Sequence, residues 1–118
     1  MSNLITGNFP AQTYRSLSVG VTGAIIKAAK GQIFDLHISN AAATPRYVKL
    51  YDKATAPIAS DTPLRTYAIP ATTVVSLAVT PAGIEFLTGI SIRGTTGIAD
   101  NDTGAPTAND IVVNISYL

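Results

Sequence analysis

Apolar and polar residues alternate with a period of two along most of this chain, and glycine or proline interrupts the alternation about every ten residues. A period of two is typical of a half-buried β-strand, whereas an amphipathic helix needs a period near 3.6. Residues 32–40 show the clearest alternation. One face of this predicted strand carries Phe34, Leu36 and Ile38, and the other carries Asp35, His37 and Ser39.

Segments of this kind account for most of the chain, and hardly any segment has a helical period. Strands are predicted over residues 14–19, 22–28, 32–40, 46–53, 64–69, 72–79, 84–87, 89–94 and 110–118. Without crossover helices, such strands form an all-β antiparallel sandwich of about eight strands, of the jelly-roll or another Greek-key type. The 118 residues suit a single domain, which we place at residues 13–118.

Residues 1–12 are predicted to form an extended N-terminal arm, because Gly7, Asn8 and Pro10 interrupt any periodicity. An extended apolar segment cannot stabilise itself, so it must pack on its own sheet or on a neighbouring molecule. The arm residues assigned to an interface on this ground are Leu4, Ile5 and Phe9.

Two tyrosines flank a lysine on one face of the predicted strand 46–53. Val48 and Leu50 are expected to point inward, and Tyr47, Lys49 and Tyr51 outward. Exposed tyrosines are enriched at partner surfaces, which makes Tyr47 and Tyr51 interface candidates. Cross-strand aromatic packing on a solvated face explains the same pattern equally well.

The residues that usually carry catalysis are scarce. The chain has no cysteine, one histidine and one glutamate, which removes disulfides, thiolate zinc sites and cysteine nucleophiles. The single imidazole, His37, falls on the polar face of its strand and is expected to be solvated or to lie in an interface. Ser91 does not form a nucleophile elbow, because Arg93 stands where that motif needs glycine. We therefore predict a non-enzymatic protein with no catalytic residues, cofactor or small-molecule substrate.

Three carboxylates occur close together near the end of the chain, and they form the one weak metal candidate. Asp100, Asp102 and Asp110 offer hard oxygen ligands that suit Ca²⁺. The EF-hand pattern fails, because Gly104 occupies its fifth position and the bidentate glutamate is missing. A polar turn is the favoured interpretation, since Asp and Asn are common in turns.

Charged residues make up only 13% of the chain and the net charge is +1. No basic run suggests nucleic-acid binding, and no apolar run approaches the roughly 18 residues of a membrane helix. The N-terminus lacks signal-peptide features, so the protein is expected to be made and used without export. Low surface charge is typical of interface cores and predicts a homo-oligomer, with a trimer as the first expectation.

The charge also divides unevenly along the chain. Residues 1–65 carry seven Lys or Arg against three Asp, while residues 66–118 carry one Arg against four acidic residues. Small-number scatter is the favoured explanation of this division. The alternative is a head-to-tail ring, in which the positive face of one copy meets the negative face of the next.

Three stretches resemble sequences that recur in small structural proteins of tailed bacteriophages. They are residues 46–57 (RYVKLYDKATAP), 89–102 (GISIRGTTGIADND) and 109–118 (NDIVVNISYL). Together they make residues 31–118 resemble capsid decoration, or cement, proteins. Residues 1–30 show no such resemblance.

The resemblance implies a jelly-roll-like domain that sits as a trimer on the outer surface of the virion head. Its partners would be its own copies and the major capsid protein, and it would stabilise the junctions between capsomers. The alternative is a phage tail or fibre module, or a receptor- or glycan-binding sandwich. Tyr47, Tyr51 and Tyr67 are the only candidates for an aromatic sugar platform. A small hydrolase is the remaining rival, and the missing nucleophile–base pair argues against it.

Overall fold

The computed structural model describes residues 10–79 and 82–118. Within these ranges the chain forms nine strands, and none of it forms a helix that could cross a membrane. The strands are β1 (Gln12–Ser16), β2 (Ala24–Lys27), β3 (Gly31–Asn40), β4 (Arg46–Tyr51), β5 (Arg65–Ile69), β6 (Thr73–Ala78), β7 (Ile84–Phe86), β8 (Ile90–Thr95) and β9 (Ile111–Tyr117).

The strands form two antiparallel sheets. A five-stranded sheet has the order β1-β9-β3-β6, with β7 also paired to β3, and a four-stranded sheet has the order β2-β8-β4-β5. Strand β3 is long enough for two partners, because β7 pairs with its first three residues and β6 with residues 35–40. The predicted all-β antiparallel sandwich is confirmed.

The core lies between the two sheets and consists of the inward residues of both. Its apolar side chains come from alternate positions, as the period of two predicts. In β9 these positions are Ile111, Val113 and Ile115, and in β8 they are Ile90 and Ile92, all at most 1% exposed. These inward faces are as the alternation predicts.

Strand β3 departs from the predicted alternation at its beginning. Its register with β9 shifts between Ile33 and Asp35, so one extra residue is inserted there. The bulge turns Ile33 into the core, where it is fully buried, while Phe34 is only half-buried and does not join the core cluster. The prediction that Phe34 shares one face of the strand with Leu36 and Ile38 is therefore wrong for Phe34.

The N-terminal arm falls mostly outside the described residues. Leu4, Ile5 and Phe9 all lie outside them. Gln12, the last residue of the predicted arm, already belongs to β1 and pairs with Tyr117 of β9. The regular sheet therefore begins one residue before the predicted domain boundary.

The bulge in β3 makes a specific prediction about stability. Ile33→Ala should lower the free energy of unfolding by about 2–5 kcal/mol, because it leaves a cavity in a fully buried site. Phe34→Ala should cost less, although it removes more atoms, because part of the ring already contacts water. Urea unfolding of both variants measures the difference. A larger loss for Phe34→Ala would contradict the placement of the bulge.

Candidate functional site

The outer faces of the two sheets differ in what covers them. On the five-stranded sheet, outward residues such as His37 and Ser76 are exposed to solvent. On the four-stranded sheet, the outward residues of β4 and β8 are buried beneath the loops that follow β1 and β8. The polar groups enclosed on this second face form the candidate site.

We call the enclosed residues of β4 and β8 the buried polar cluster. Its members are at most 1% exposed and comprise Lys49, Tyr51, Ser91, Arg93 and Thr95. The strand register places Lys49 opposite Arg93 and Tyr51 opposite Ser91. The alternation assigns these residues to the correct face, but the expectation that this face meets solvent is wrong.

Arg93 joins three separate parts of the chain. Its Nε donates a hydrogen bond of 2.9 Å to the carbonyl of Val21, in the loop after β1. Its Nη1 donates to the hydroxyl of Tyr51 at 3.0 Å, and its Nη2 donates to the carbonyl of Asp102 at 2.9 Å. A single guanidinium thus fixes strand β4 and two covering loops in one arrangement.

Lys49 holds the same loop by a second contact. Its Nζ donates to the carbonyl of Ala99, which lies in the loop between β8 and β9. Burial lowers the pKa of Lys49, and the neighbouring Arg93 lowers it further, although Asp102 and Asp100 act in the opposite direction. No carboxylate in the described part of the chain forms a salt bridge with either cation.

Asp102 shapes the covering loop from within. One oxygen of its carboxylate accepts hydrogen bonds from the amides of Gly97 and Gly104, at 3.3 and 2.7 Å. The amide of Thr96 also donates to the carbonyl of Gly104, which closes the base of the loop. A Cβ on Gly104 would overlap the Thr96 hydroxyl, so this close approach needs glycine.

The loop after β4 is fixed beside the cluster by two contacts, one of them with the loop after β1. Gly23 lies so close to Pro57 that a Cβ there would sit 2.2 Å from the carbonyl oxygen of that proline. Lys53 and Asp61 form a salt bridge of 2.5 Å within the loop after β4. The hydrogen bond from Lys53 holds the pKa of Asp61 below its ordinary value.

Asp52 anchors the loop between β7 and β8 through backbone amides. Its carboxylate accepts hydrogen bonds from the amides of Leu87, Thr88 and Gly89, at 3.1, 2.8 and 3.2 Å. Burial alone would raise the pKa of Asp52, but these three donors outweigh it and lower the pKa. Asp52, like Asp102, is therefore a structural acceptor.

The three calcium candidates do not come together. Asp102 is occupied by the two glycine amides, and Asp110 forms a salt bridge of 3.1 Å with Arg46. Asp100 is exposed in the loop over Lys49. Across residues 10–79 and 82–118, no group of three acidic or imidazole side chains could hold a metal ion. Asp102 and Asp110 instead accept hydrogen bonds from amides of their own loop.

The other candidates lie in different surroundings. Tyr51 is 1% exposed and accepts a hydrogen bond from Arg93, so the expectation that it offers a partner surface is wrong. Tyr47 is half-buried and pairs with Thr95 across the two strands. His37 is exposed, as predicted, and its Nδ1 lies 2.9 Å from the hydroxyl of Ser76.

Sequence reasoning missed the burial of Lys49 and Arg93. The alternation of apolar and polar residues predicts which face of the sheet a side chain occupies, but it does not predict whether loops cover that face. One signal was available, namely the long segment after Thr95, which has no alternation of its own. A loop of that length without secondary structure is uncommon unless it packs on the domain or serves a function.

Two clefts open near these elements. One, of about 420 Å³, has Arg93 in its lining and apolar walls that include Val21, Pro57 and Ile58; we call it the Arg93 cleft. The other, of about 520 Å³, is lined by Lys27, Lys30 and Glu85 among others.

Several large apolar side chains remain exposed. They are between 45% and 68% exposed and comprise Leu17, Ile25, Ile58, Leu64, Val74, Leu87 and Ile98. Most lie in the loops or at strand edges, beyond the sheets' core-facing positions.

Comparison of the chain with protein-family models, with curated protein sequences and with solved structures found no match. The assignment of a function therefore depends on the residues and geometry described above.

The lowered pKa of Lys49 predicts a pH dependence that Lys49→Met should remove. Below the folded-state pKa, both the folded and unfolded chains carry the proton, and burial of the charge costs stability. Between that pKa and the ordinary value of 10.5, the unfolded chain binds more protons, so the free energy of unfolding rises with pH.

Lys49→Met should leave stability at neutral pH within about 1 kcal/mol of wild type, or raise it, because an apolar side chain of similar length replaces an unpaired buried charge. Urea unfolding from neutral to alkaline pH measures both proteins, and wild type should gain stability relative to the variant. If the free energy of unfolding changed with pH in the same way in both proteins, the lowered pKa of Lys49 would be contradicted.

Proposed function

We propose that this chain is a non-enzymatic virion structural protein, a capsid decoration protein that binds the outer head surface as a trimer and stabilises capsomer junctions. The proposal joins the resemblance of residues 31–118 to phage cement proteins with the geometry of the domain. Its place of action would be the outer surface of the virion, after synthesis in the host cytoplasm. Its partners would be further copies of itself and the major capsid protein.

One observation carries the proposal. Polar side chains that a binding or catalytic protein would present to a ligand are used here to fix loops, while large apolar side chains remain exposed. Arg93, Asp52 and Asp102 all serve the loops, whereas Leu87 and Ile98 are 68% and 64% exposed. A rigid body with scattered apolar contacts suits a protein whose task is to bind a preassembled surface.

We further propose that the sandwich is of the jelly-roll type. The chain alternates between the sheets at its start, with β1 and β3 in one sheet and β2 and β4 in the other, and the last strand lies between β1 and β3. Interleaving of this kind is expected where two Greek keys wrap into a double sheet, an architecture found in viral capsid proteins and lectins.

The mechanism follows from mass action. A protein that binds the assembled shell but not the free subunits stabilises the assembled state by the free energy of that binding. A trimer would increase this effect, because three linked contacts bind at high effective concentration.

The alternative is a tail or fibre module, or a receptor- or glycan-binding sandwich. Such a sugar site usually offers an exposed aromatic ring beside polar groups. Tyr51 is buried and Tyr47 and Tyr67 are half-buried, so these tyrosines give it little support.

The proposal predicts a trimer in light scattering and saturable binding to heads of the encoding phage prepared without this protein. Bound protein should raise the temperature at which the heads release DNA.

At least one of the variants Leu87→Asp and Ile98→Asp should bind the heads about tenfold more weakly than wild type, because the substitution places a charge in an apolar contact. His37→Ala serves as the matched surface control and should bind like wild type.

A folded monomer that does not bind these heads would contradict the proposal. Binding to a glycan array by the same preparation would favour the alternative.

A further inference from the structure

One edge strand of the five-stranded sheet lacks the features that keep an exposed strand from pairing. Among the described strands, β1, β6 and β7 lie at edges of this sheet, and β2 and β5 at edges of the other. Natural sheets protect such edges with charged side chains, proline, a bulge or short length. Strand β1 carries Arg15, β2 carries Lys27 and a bulge, β5 carries Arg65, and β7 is three residues long and carries Glu85. Strand β6 (TVVSLA) has six residues, no charge, no proline and an unbroken register with β3.

The sequence on both sides of β6 is uncharged as well. No Asp, Glu, Lys or Arg occurs at residues 66–84, which is the longest uncharged stretch of the chain. Interface cores are depleted of charged residues in the same way. A strand placed along β6 would therefore remove no charged group of this stretch from water, a step that costs free energy at the other edges.

The core is incompletely closed along β6. Val75 and Leu77 pack against the core cluster, but they remain half-buried. Their direct neighbours in β3, Ile38 and Leu36, are at most 2% exposed. On the outer face of β6, Val74 is 54% exposed. A further strand along this edge would cover apolar area on both faces of the sheet, which favours association.

Two copies of β6 match each other when they pair antiparallel about Ser76. Residues that lie opposite each other in an antiparallel pair point to the same face of the sheet. On the core face of this pairing, Val75 of each copy lies opposite Leu77 of the other. On the outer face, Val74 lies opposite Ala78, and the two Ser76 side chains meet on the two-fold axis. Apolar residues thus meet apolar residues, and neither copy brings a charge to the contact.

We propose that β6 is a contact surface between two copies of this chain, which pair their β6 strands antiparallel about Ser76 and so join their five-stranded sheets. This inference goes beyond the proposed function. A contact of this symmetry joins only two copies, so it differs from the contact that holds the proposed trimer. Two six-residue strands make a small interface, and the contact therefore forms where copies are concentrated, as on an assembled surface.

The test uses a disulfide as the reporter, because the chain has no cysteine of its own. Ser76 is exposed, and in the proposed pairing the two Ser76 Cβ atoms lie about 5 Å apart, so the thiols of Ser76→Cys can reach each other. The matched control is Thr13→Cys, which places a thiol at an exposed position of β1, the opposite edge of the same sheet.

Both variants are oxidised with copper phenanthroline at about 1 mM protein and analysed on non-reducing gels. Ser76→Cys should form a covalent dimer at least about tenfold faster than Thr13→Cys, because only β6 is expected to meet its own copy. Thermal unfolding of the reduced proteins shows that each variant is folded.

Two further variants test the register and the absence of charge. Val74→Cys should cross-link slowly, because in the pairing about Ser76 its thiol lies more than about 10 Å from that of the other copy. Adding Val74→Lys to Ser76→Cys gives the edge the charge that it lacks, and should slow cross-linking at least about fivefold.

Equal rates for Ser76→Cys and Thr13→Cys would overturn the proposal. Equal rates for Ser76→Cys and Val74→Cys would overturn it too, because the edges would then meet without a fixed register. Protection of the β6 amides from hydrogen exchange on heads, without cross-linking of Ser76→Cys, would assign this edge to the capsid protein instead.

The proposed function fails or stands separately, through binding to the heads. A protein that binds heads while Ser76→Cys does not cross-link would refute only the β6 contact. Specific cross-linking of a protein that does not bind heads would refute only the proposed function.

Discussion

The arrangement of loops on the four-stranded sheet depends on the hydrogen bonds of one guanidinium. Arg93 lies in the middle of β8 and reaches the loop after β1, the strand β4 and the loop before β9 at the same time. Only arginine offers three separate nitrogen donors in one plane with fixed angles. Because each acceptor belongs to a different segment, the contacts constrain those segments relative to one another and to the sheet.

This constraint accounts for the difference between the two outer faces. Where Arg93 and Lys49 draw loops onto the four-stranded sheet, the face becomes a second, polar interior. The five-stranded sheet has no comparable cation in the outward positions of β3 and β6, and residues such as His37 and Ser76 stay exposed. A domain built in this way has one open sheet face and one closed face with a cleft at its edge.

The period of two was sufficient to predict the strands and the fold class. Every predicted strand has a counterpart whose ends agree to within a few residues, and the inward positions of β8 and β9 are those expected. Two features escaped because they depend on tertiary contacts. The bulge in β3 places Ile33 in the core instead of Phe34, because it shifts by one residue which side chains face inward. Local sequence propensities do not indicate such a shift.

The burial of Lys49, Tyr51 and Arg93 escaped for a related reason. Alternation separates two faces of a sheet and assumes that the polar face meets water. Here loops cover that face, and their carbonyls accept hydrogen bonds from the cations, two of them from donors 50 and 72 residues away in the sequence. The polar-turn interpretation of the last loop came from residue type alone, and the role of Asp102 as an acceptor of two glycine amides appears only in the folded geometry.

The claim that Arg93 fixes the covering loops is tested most directly by amide hydrogen exchange of Arg93→Lys. Lysine keeps the charge but cannot reach three acceptors at once. The account predicts that the amides of Gly97 and Gly104 exchange at least about tenfold faster in the variant, while those in the β3–β9 pairing keep their protection. Unchanged exchange at Gly97 and Gly104 in a folded variant would contradict it, since the loop would then stand without the guanidinium.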